Sequence, residues 1–187
     1  MIAVYIIIGI VLILLVMVAS TYNGLIRLRN RVSNAWAQID VQLKRRHDLI
    51  PNLVETAKGY MTHERGTFEA ITKARNLAQK AVGTGVGAQS KAEGELSGAL
   101  SRLLVVVENY PDLKASQNFL ALQEELASTE NKISFSRQYY NDSVLRYNNK
   151  TQMFPSNILA GIMSFKASEF FEVEVAEERE APKVSFN

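Results

Sequence analysis

The apolar positions at the start of the chain form one unbroken run. The residues from Ile2 to Ala19 include no charged side chain. An α-helix rises 1.5 Å per residue, so this run spans about 27 Å, and Ser20 to Tyr22 extend it to a hydrocarbon-core thickness of about 30 Å. Residues 1–22 are therefore predicted to be a transmembrane anchor that contacts the lipid bilayer.

A cleaved signal peptide is the competing interpretation of this run. Such a peptide has a basic start, a shorter apolar stretch and a cleavage site of small residues. Here no Lys or Arg precedes the run, the apolar stretch is long, and Met17-Val18-Ala19 is a poor cleavage site. The sequence favours a retained single-pass anchor in the cell (inner) membrane.

The charges that follow the anchor predict its orientation. Arg27, Arg29 and Arg31 come first, and the first acidic residue is Asp40. The positive-inside rule then places the N-terminus outside and the domain on the cytoplasmic side. The alternative is that these arginines are only the solvated face of a helix.

Beyond the anchor, apolar residues recur at intervals of three and four, the period of an amphipathic helix. The first such stripe predicts a helix from the membrane to about Leu49, interrupted by Pro51; it consists of Leu25, Leu28, Val32, Trp36, Ile39 and Leu43. A second helix is predicted from Pro51 to Ala81, and alternating glycines at 83–87 predict a flexible loop. A third helix is predicted from Lys91 to Tyr110 and ends at Pro111.

The fourth predicted helix, from about Lys114 to Lys150, carries large residues at seven-residue intervals. We call this row the seam: Phe119, Leu126, Ile133, Tyr140 and Tyr147. A second row, three residues after the seam, has smaller side chains and includes Thr129, Ser136 and Ser143. We call it the smaller row. A sustained heptad of this kind predicts coiled-coil-like packing against a helix of the same chain or of another copy.

The pattern weakens after Pro155, where Asn157 to Phe165 predict a short helix. Six glutamates then occur between Glu169 and Glu180, which is typical of a solvated, mobile tail. The predicted organisation is an anchor at 1–22, a helical bundle domain at 23–165 and an acidic tail at 166–187. The fold class is all-α: a transmembrane helix followed by an antiparallel bundle of about four long helices.

Composition removes several classes of function. The formal net charge is only +2, so no strongly basic surface for nucleic acid is predicted. The chain contains no cysteine, which excludes disulfides, thiolate metal sites and cysteine nucleophiles.

The candidate residues for chemistry are few. His47 and His63 are the only histidines, and the sequence His63-Glu64 lacks the second histidine at position 67 that a zinc protease helix needs. We predict that the protein has no catalytic, cofactor or metal site and no small-molecule substrate, and that it is not an enzyme. Glu64 is unusual because it falls on the apolar stripe of the second predicted helix. It is a partly exposed residue at a bundle end, a member of a buried ion pair that fixes helix register, or a catalytic carboxylate. The partner in such a pair would be Arg75 or Arg137, and Arg137 lies with Glu130 beside the seam.

Several segments of the chain resemble the LemA family. They include NAWAQIDVQLKRR at 34–46, DLIPNLV at 48–54, ENYPDLK at 108–114, LQEEL at 122–126 and PKVSF at 182–186. The resemblance covers nearly the whole chain, although Ser164 stands where a glycine is expected. It implies an N-terminal anchor followed by an antiparallel helical bundle, and it implies no particular reaction.

Three functional hypotheses follow. The first is a membrane-anchored, non-enzymatic scaffold or adaptor that binds itself or another envelope protein. The second is a membrane-associated enzyme that uses carboxylates in a helical pocket. The third is a membrane-surface remodelling protein whose basic segment meets anionic lipid.

Overall fold

The computed structural model describes residues 1–172 and is all-helical over that part of the chain, which confirms the predicted fold class. Its helices are α1 (Ile2–Lys58), α2 (Arg65–Ala81), α3 (Val86–Val107), α4 (Pro111–Lys114), α5 (Gln117–Gln152) and α6 (Ser156–Ile162). The residues divide into two compact units. Unit 1 contains Met1–Val41 and Ser134–Phe170, and unit 2 contains Gln42–Ile133 with Phe171 and Glu172.

The predicted helix break at Pro51 is wrong, because α1 continues through this residue to Lys58. Proline has no N–H, so the carbonyl of His47, four residues earlier, loses its donor within the helix. Nε of Arg75 in α2 donates to that carbonyl at 2.7 Å. This bond from another helix satisfies the group that Pro51 leaves unpaired.

The break lies instead between Lys58 and Arg65, so the second predicted helix is divided. The glycine loop is also shorter than predicted, because α3 already begins at Val86. Gly83 and Gly85 adopt φ of +79° and +123°, conformations that side chains disfavour. Pro111 ends no long helix. It begins α4, in agreement with the preference of proline for the first turn.

Unit 2 has a continuous apolar core. Ile50 and Ala57 of α1 pack with Ile71 of α2, Leu96 of α3 and Phe119 of α5, and each is at most 1% exposed. Phe119 is the first residue of the seam that the sequence predicts. Helices α2 and α3 are joined by a loop of four residues and pack against each other.

Unit 1 contains the apolar N-terminal part of α1, the second half of α5 and α6. The rings of Trp36 and Tyr140 meet edge to face, with centroids 5.2 Å apart. Ser164 follows α6 with φ of +55°, and the N–H of Phe165 bonds to the carbonyl of Ala160 at 2.9 Å. This left-handed helix ending favours glycine, which agrees with the glycine that the family resemblance leads us to expect at Ser164.

The seam is buried by the chain itself. Its five residues are between 0% and 7% exposed, as the helical stripe predicts. In the smaller row, the hydroxyls of Thr129 and Ser143 donate to the carbonyls of Glu125 and Tyr139, each at 2.8 Å. These hydroxyls therefore bond back to their own helix. The seven-residue pattern correctly indicates which face of α5 is covered.

The start of the predicted mobile tail is packed in place. The carbonyls of Lys166, Ser168 and Glu169 accept bonds from Tyr147, Asn148 and Tyr140 of α5, each at 2.9 Å. Phe171 is 2% exposed. The predicted boundary at residue 166 is therefore too early, and residues 173–187, which carry most of the acidic run, lie outside the described residues.

Candidate functional site

The apolar segment of α1 has the properties of a membrane-spanning helix. Its mean hydropathy reaches 3.3 over 18 residues, and none of that window is buried by the rest of the chain. Large apolar side chains are exposed on every side of it, from Ile2 at 79% to Val18 at 47%. A helix that is apolar all round is stable only where another apolar medium covers it, such as a bilayer core.

A cluster of ionic side chains lies inside unit 2, and Arg46 is its centre. Arg46 is 1% exposed. One terminal nitrogen donates to Glu130 Oε2 at 2.7 Å and to Ser97 Oγ at 2.8 Å. The other donates to the carboxylate of Glu93, which is 3% exposed. The guanidinium thus joins helices α1, α3 and α5.

His47 completes this cluster. Its Nε2 lies 2.9 Å from Oε1 of Glu93, which is within ion-pair distance. Burial raises the pKa of Glu93, but the bond from His47 and the charge of Arg46 outweigh it and hold that pKa below its usual range. The fold therefore favours ionised Glu93. The corresponding stability is present above the ordinary glutamate pKa and is lost as pH falls through the lowered value.

Glu64 does not lie on a buried stripe, because it precedes α2 and is half-buried. Its Oε1 accepts from the hydroxyl of Tyr110 at 3.1 Å. Burial and this carboxylate raise the pKa of Tyr110. Glu64 is thus partly exposed, as one of the three predicted alternatives has it, and it lies in the segment before α2. The prediction that Arg75 pairs with Glu64 is wrong, because Nε of Arg75 donates to the carbonyl of His47.

The structure does not bring the two histidines into one cluster. His47 is 4% exposed beside Glu93, whereas His63 is exposed in the segment before α2. Within residues 1–172, no three His, Asp or Glu side chains are grouped as metal ligands would be. Glu130 belongs to the ionic cluster through Arg46, as its position beside the seam allows.

Sequence reasoning missed Arg46 and Glu93 as a buried pair. The signal was present, because Glu93 stands three residues before Leu96 on the stripe of α3, and Arg46 stands three after Leu43 on the stripe of α1. A charged residue on an apolar stripe needs a partner of opposite charge.

A groove of about 770 Å³ runs along one face of α2. Its basic residues are Lys58, Arg65, Lys73 and Lys80, and Glu69 is its acidic residue. Its remaining residues are Met61, Thr62, Phe68, Thr72, Asn76 and Leu77. We call this surface the α2 groove. It combines a net positive charge with apolar side chains, of which Leu77 is 42% exposed.

Comparison with known proteins places the chain among relatives. It is 28% identical over 159 residues to protein LemA of Metamycoplasma hominis, an alignment that covers 82% of this chain and 72% of the relative. It is 25% identical over 179 residues to magnetosome protein MamQ 2 of Paramagnetospirillum magneticum and to MamQ of Magnetospirillum gryphiswaldense. Those alignments cover 83% of this chain and 66% of each relative, so the chain spans just under two thirds of their length.

None of these names states a chemical reaction. The model of the LemA family matches residues 35–186, which is most of the chain and includes the segments whose sequence resembles that family. The chain belongs to the LemA family.

Proposed function

We propose that this protein is a non-enzymatic scaffold or adaptor, anchored in the membrane by residues 1–22, that binds a second membrane or envelope protein. The observation that carries the proposal is the course of α1. This one helix begins with an exposed apolar span and continues to Ile50 and Ala57, which are buried in the core of unit 2. The same helix therefore serves as anchor and as structural element of the domain.

The arrangement of charges supports a scaffold over an enzyme. A catalytic carboxylate works best in a concave site, beside groups that can hold a substrate. Glu93 and His47 are instead held in the core by Arg46, and neither lines the α2 groove. The one carboxylate that lines this groove is Glu69, and its titratable neighbours there are lysines and an arginine.

We infer that the α2 groove is the binding surface and that its partner is an acidic, amphipathic segment. The groove residues recur at intervals of three and four along α2, so they lie on one face of this helix. Leu77, which is 42% exposed, offers apolar contact, while Lys73 and Lys80 offer charges that would complement glutamate or aspartate. A second copy of this chain is the alternative occupant.

Site-specific crosslinking tests this surface. A photo-reactive residue at Asn76 in the full chain is expected to capture a discrete partner in native membranes. Lys73→Glu with Lys80→Glu should reduce the adduct severalfold, because attraction becomes repulsion. The matched control is Lys91→Glu with Lys132→Glu, exposed positions outside the groove that should leave the adduct unchanged.

Mass spectrometry of the adduct should map an acidic segment. An adduct that is insensitive to both charge reversals would contradict the inferred groove, and an adduct with a second copy would identify self-association.

The proposed topology places the domain in the cytoplasm, as Arg27, Arg29 and Arg31 predict by the positive-inside rule. Protease added to intact cells should leave the domain whole, whereas protease added to inverted vesicles should digest it. Digestion in intact cells, with a cytoplasmic marker still protected, would reverse the orientation.

A further inference from the structure

An exposed apolar surface surrounds α6 in unit 1. Phe154 is 80% exposed, Ile162 73%, Met153 63%, Ile158 56% and Met163 50%. We call these five residues the α6 patch. Ser156 and Ala160, on the opposite face of α6, are buried at 2% and 3% exposure. The short helix is therefore amphipathic, with its apolar side chains directed away from the protein.

The pairing of α1 with α5 indicates beside which residues of α1 the patch lies. Trp36 contacts Tyr140 through their rings. Burial raises the pKa of Tyr147 and the Arg29 guanidinium opposes that rise, so Arg29 lies near Tyr147. Seven residues back along α1 thus correspond to seven residues forward along α5. Since both helices rise equally per residue, the same register brings Gln152, the last residue of α5, level with Gly24, and Met153 and Phe154 follow it directly.

A separate contact places the other end of the α6 region at nearly the same position along α1. The ring of Phe165, just after α6, lies edge to face with the ring of Tyr22 at a centroid distance of 6.1 Å. The guanidinium carbon of Arg29 lies 5.5 Å from the centroid of the Phe165 ring. Tyr22 is the last residue of the proposed anchor. Both ends of the α6 region are therefore adjacent to the point where α1 leaves the bilayer.

We propose that the α6 patch is a second membrane contact, which inserts into the interfacial layer of the bilayer that residues 1–22 span. The apolar surface of the anchor and that of the patch are neighbours in unit 1, so one lipid surface can cover both. An amphipathic helix that lies in the interface buries its apolar face at the boundary of headgroups and acyl chains. The exposed Lys150 and Lys166 flank the patch and suit the headgroup layer.

This inference rests on the proposed anchor, and site-directed spin labelling separates the two. The chain has no cysteine, so a single introduced cysteine carries the label. Three full-length variants in lipid nanodiscs are compared: Ile162→Cys in the patch, Leu12→Cys in the anchor and Phe135→Cys as control. Phe135 is 72% exposed on α5, and the register places it opposite Val41, about 28 Å along α1 from Tyr22.

The measured quantity is the collision rate of each label with oxygen, which concentrates in lipid, relative to a water-soluble nickel chelate. We expect the oxygen-to-nickel ratio at 12 and 162 to exceed that at 135 severalfold. Suppose that the label at position 162 is as accessible to nickel as the label at position 135, while the label at position 12 lies in lipid. That result overturns the α6 inference alone. A label at position 12 that lies in water contradicts the proposed anchor.

A label at 162 shielded from both reagents would show a protein cover and also overturn the inference. Phe154→Cys provides a second patch position if Ile162→Cys does not fold.

Discussion

Replacing Arg46 by methionine is expected to lower the free energy of unfolding by about 3–5 kcal/mol, the usual cost of breaking a buried ion pair by removing one partner. The reason is geometric. Arg46 is 1% exposed and its guanidinium binds Glu93 and Glu130. Without it, the buried carboxylate of Glu93 loses the charge that offsets its burial and keeps only the contact with His47. Chemical denaturation of the detergent-solubilised full chain measures the difference.

The neighbouring residue supplies a matched control. Arg45 also forms an ion pair, with Glu125, but both side chains are more than a third exposed. Arg45→Met should therefore cost only about 0–1 kcal/mol. Adding Glu93→Leu to Arg46→Met should recover part of the loss, because the unpaired buried charge is removed. Equal losses for Arg45→Met and Arg46→Met would show that the buried cluster does not stabilise unit 2.

Truncating Ile133 to alanine is expected to destabilise the domain by about 2–5 kcal/mol, the cost of deleting a buried isoleucine side chain and leaving a cavity. Ile133 is the middle residue of the seam and is 2% exposed within a single chain. The melting temperature should fall while the oligomer size stays the same. Thermal unfolding and light scattering on the same sample measure both quantities.

Phe135→Ala is the control, because Phe135 lies on the same helix and is 72% exposed. It should leave the melting temperature nearly unchanged. A smaller assembly with unchanged monomer stability for Ile133→Ala would instead mean that the seam joins copies of the chain. Unchanged values for both would contradict the burial of this stripe.

The features that the sequence predicts well are those that depend on local periodicity. The run before Ser20 is continuously apolar, and the seam through Ile133 repeats large side chains at a helical spacing. Such a spacing determines which face of a helix needs cover, whatever covers it. A short helix from Asn157 to Phe165 is also predicted, although the pattern weakens there, and α6 lies at Ser156–Ile162.

The features that the sequence misses depend on residues far apart in the chain. Proline is a reliable local signal for a helix break, but Arg75 supplies the missing donor to the carbonyl of His47 and α1 continues. The sequence pattern places Glu64 on a helix stripe only if the second helix is continuous. The break after Lys58 places it before α2, beside Tyr110. Local pattern cannot identify these partners, because tertiary packing brings them together.

The central claim, that α1 begins with a membrane anchor, is tested most directly by alkaline carbonate extraction of membranes that contain the full chain. Carbonate releases peripheral proteins and leaves membrane-spanning proteins in the pellet. We predict that the full chain remains in the pellet and that a variant without residues 1–22 is released. Release of the full chain, or recovery of a soluble product cleaved near Ala19, would contradict the anchor and the function proposed from it.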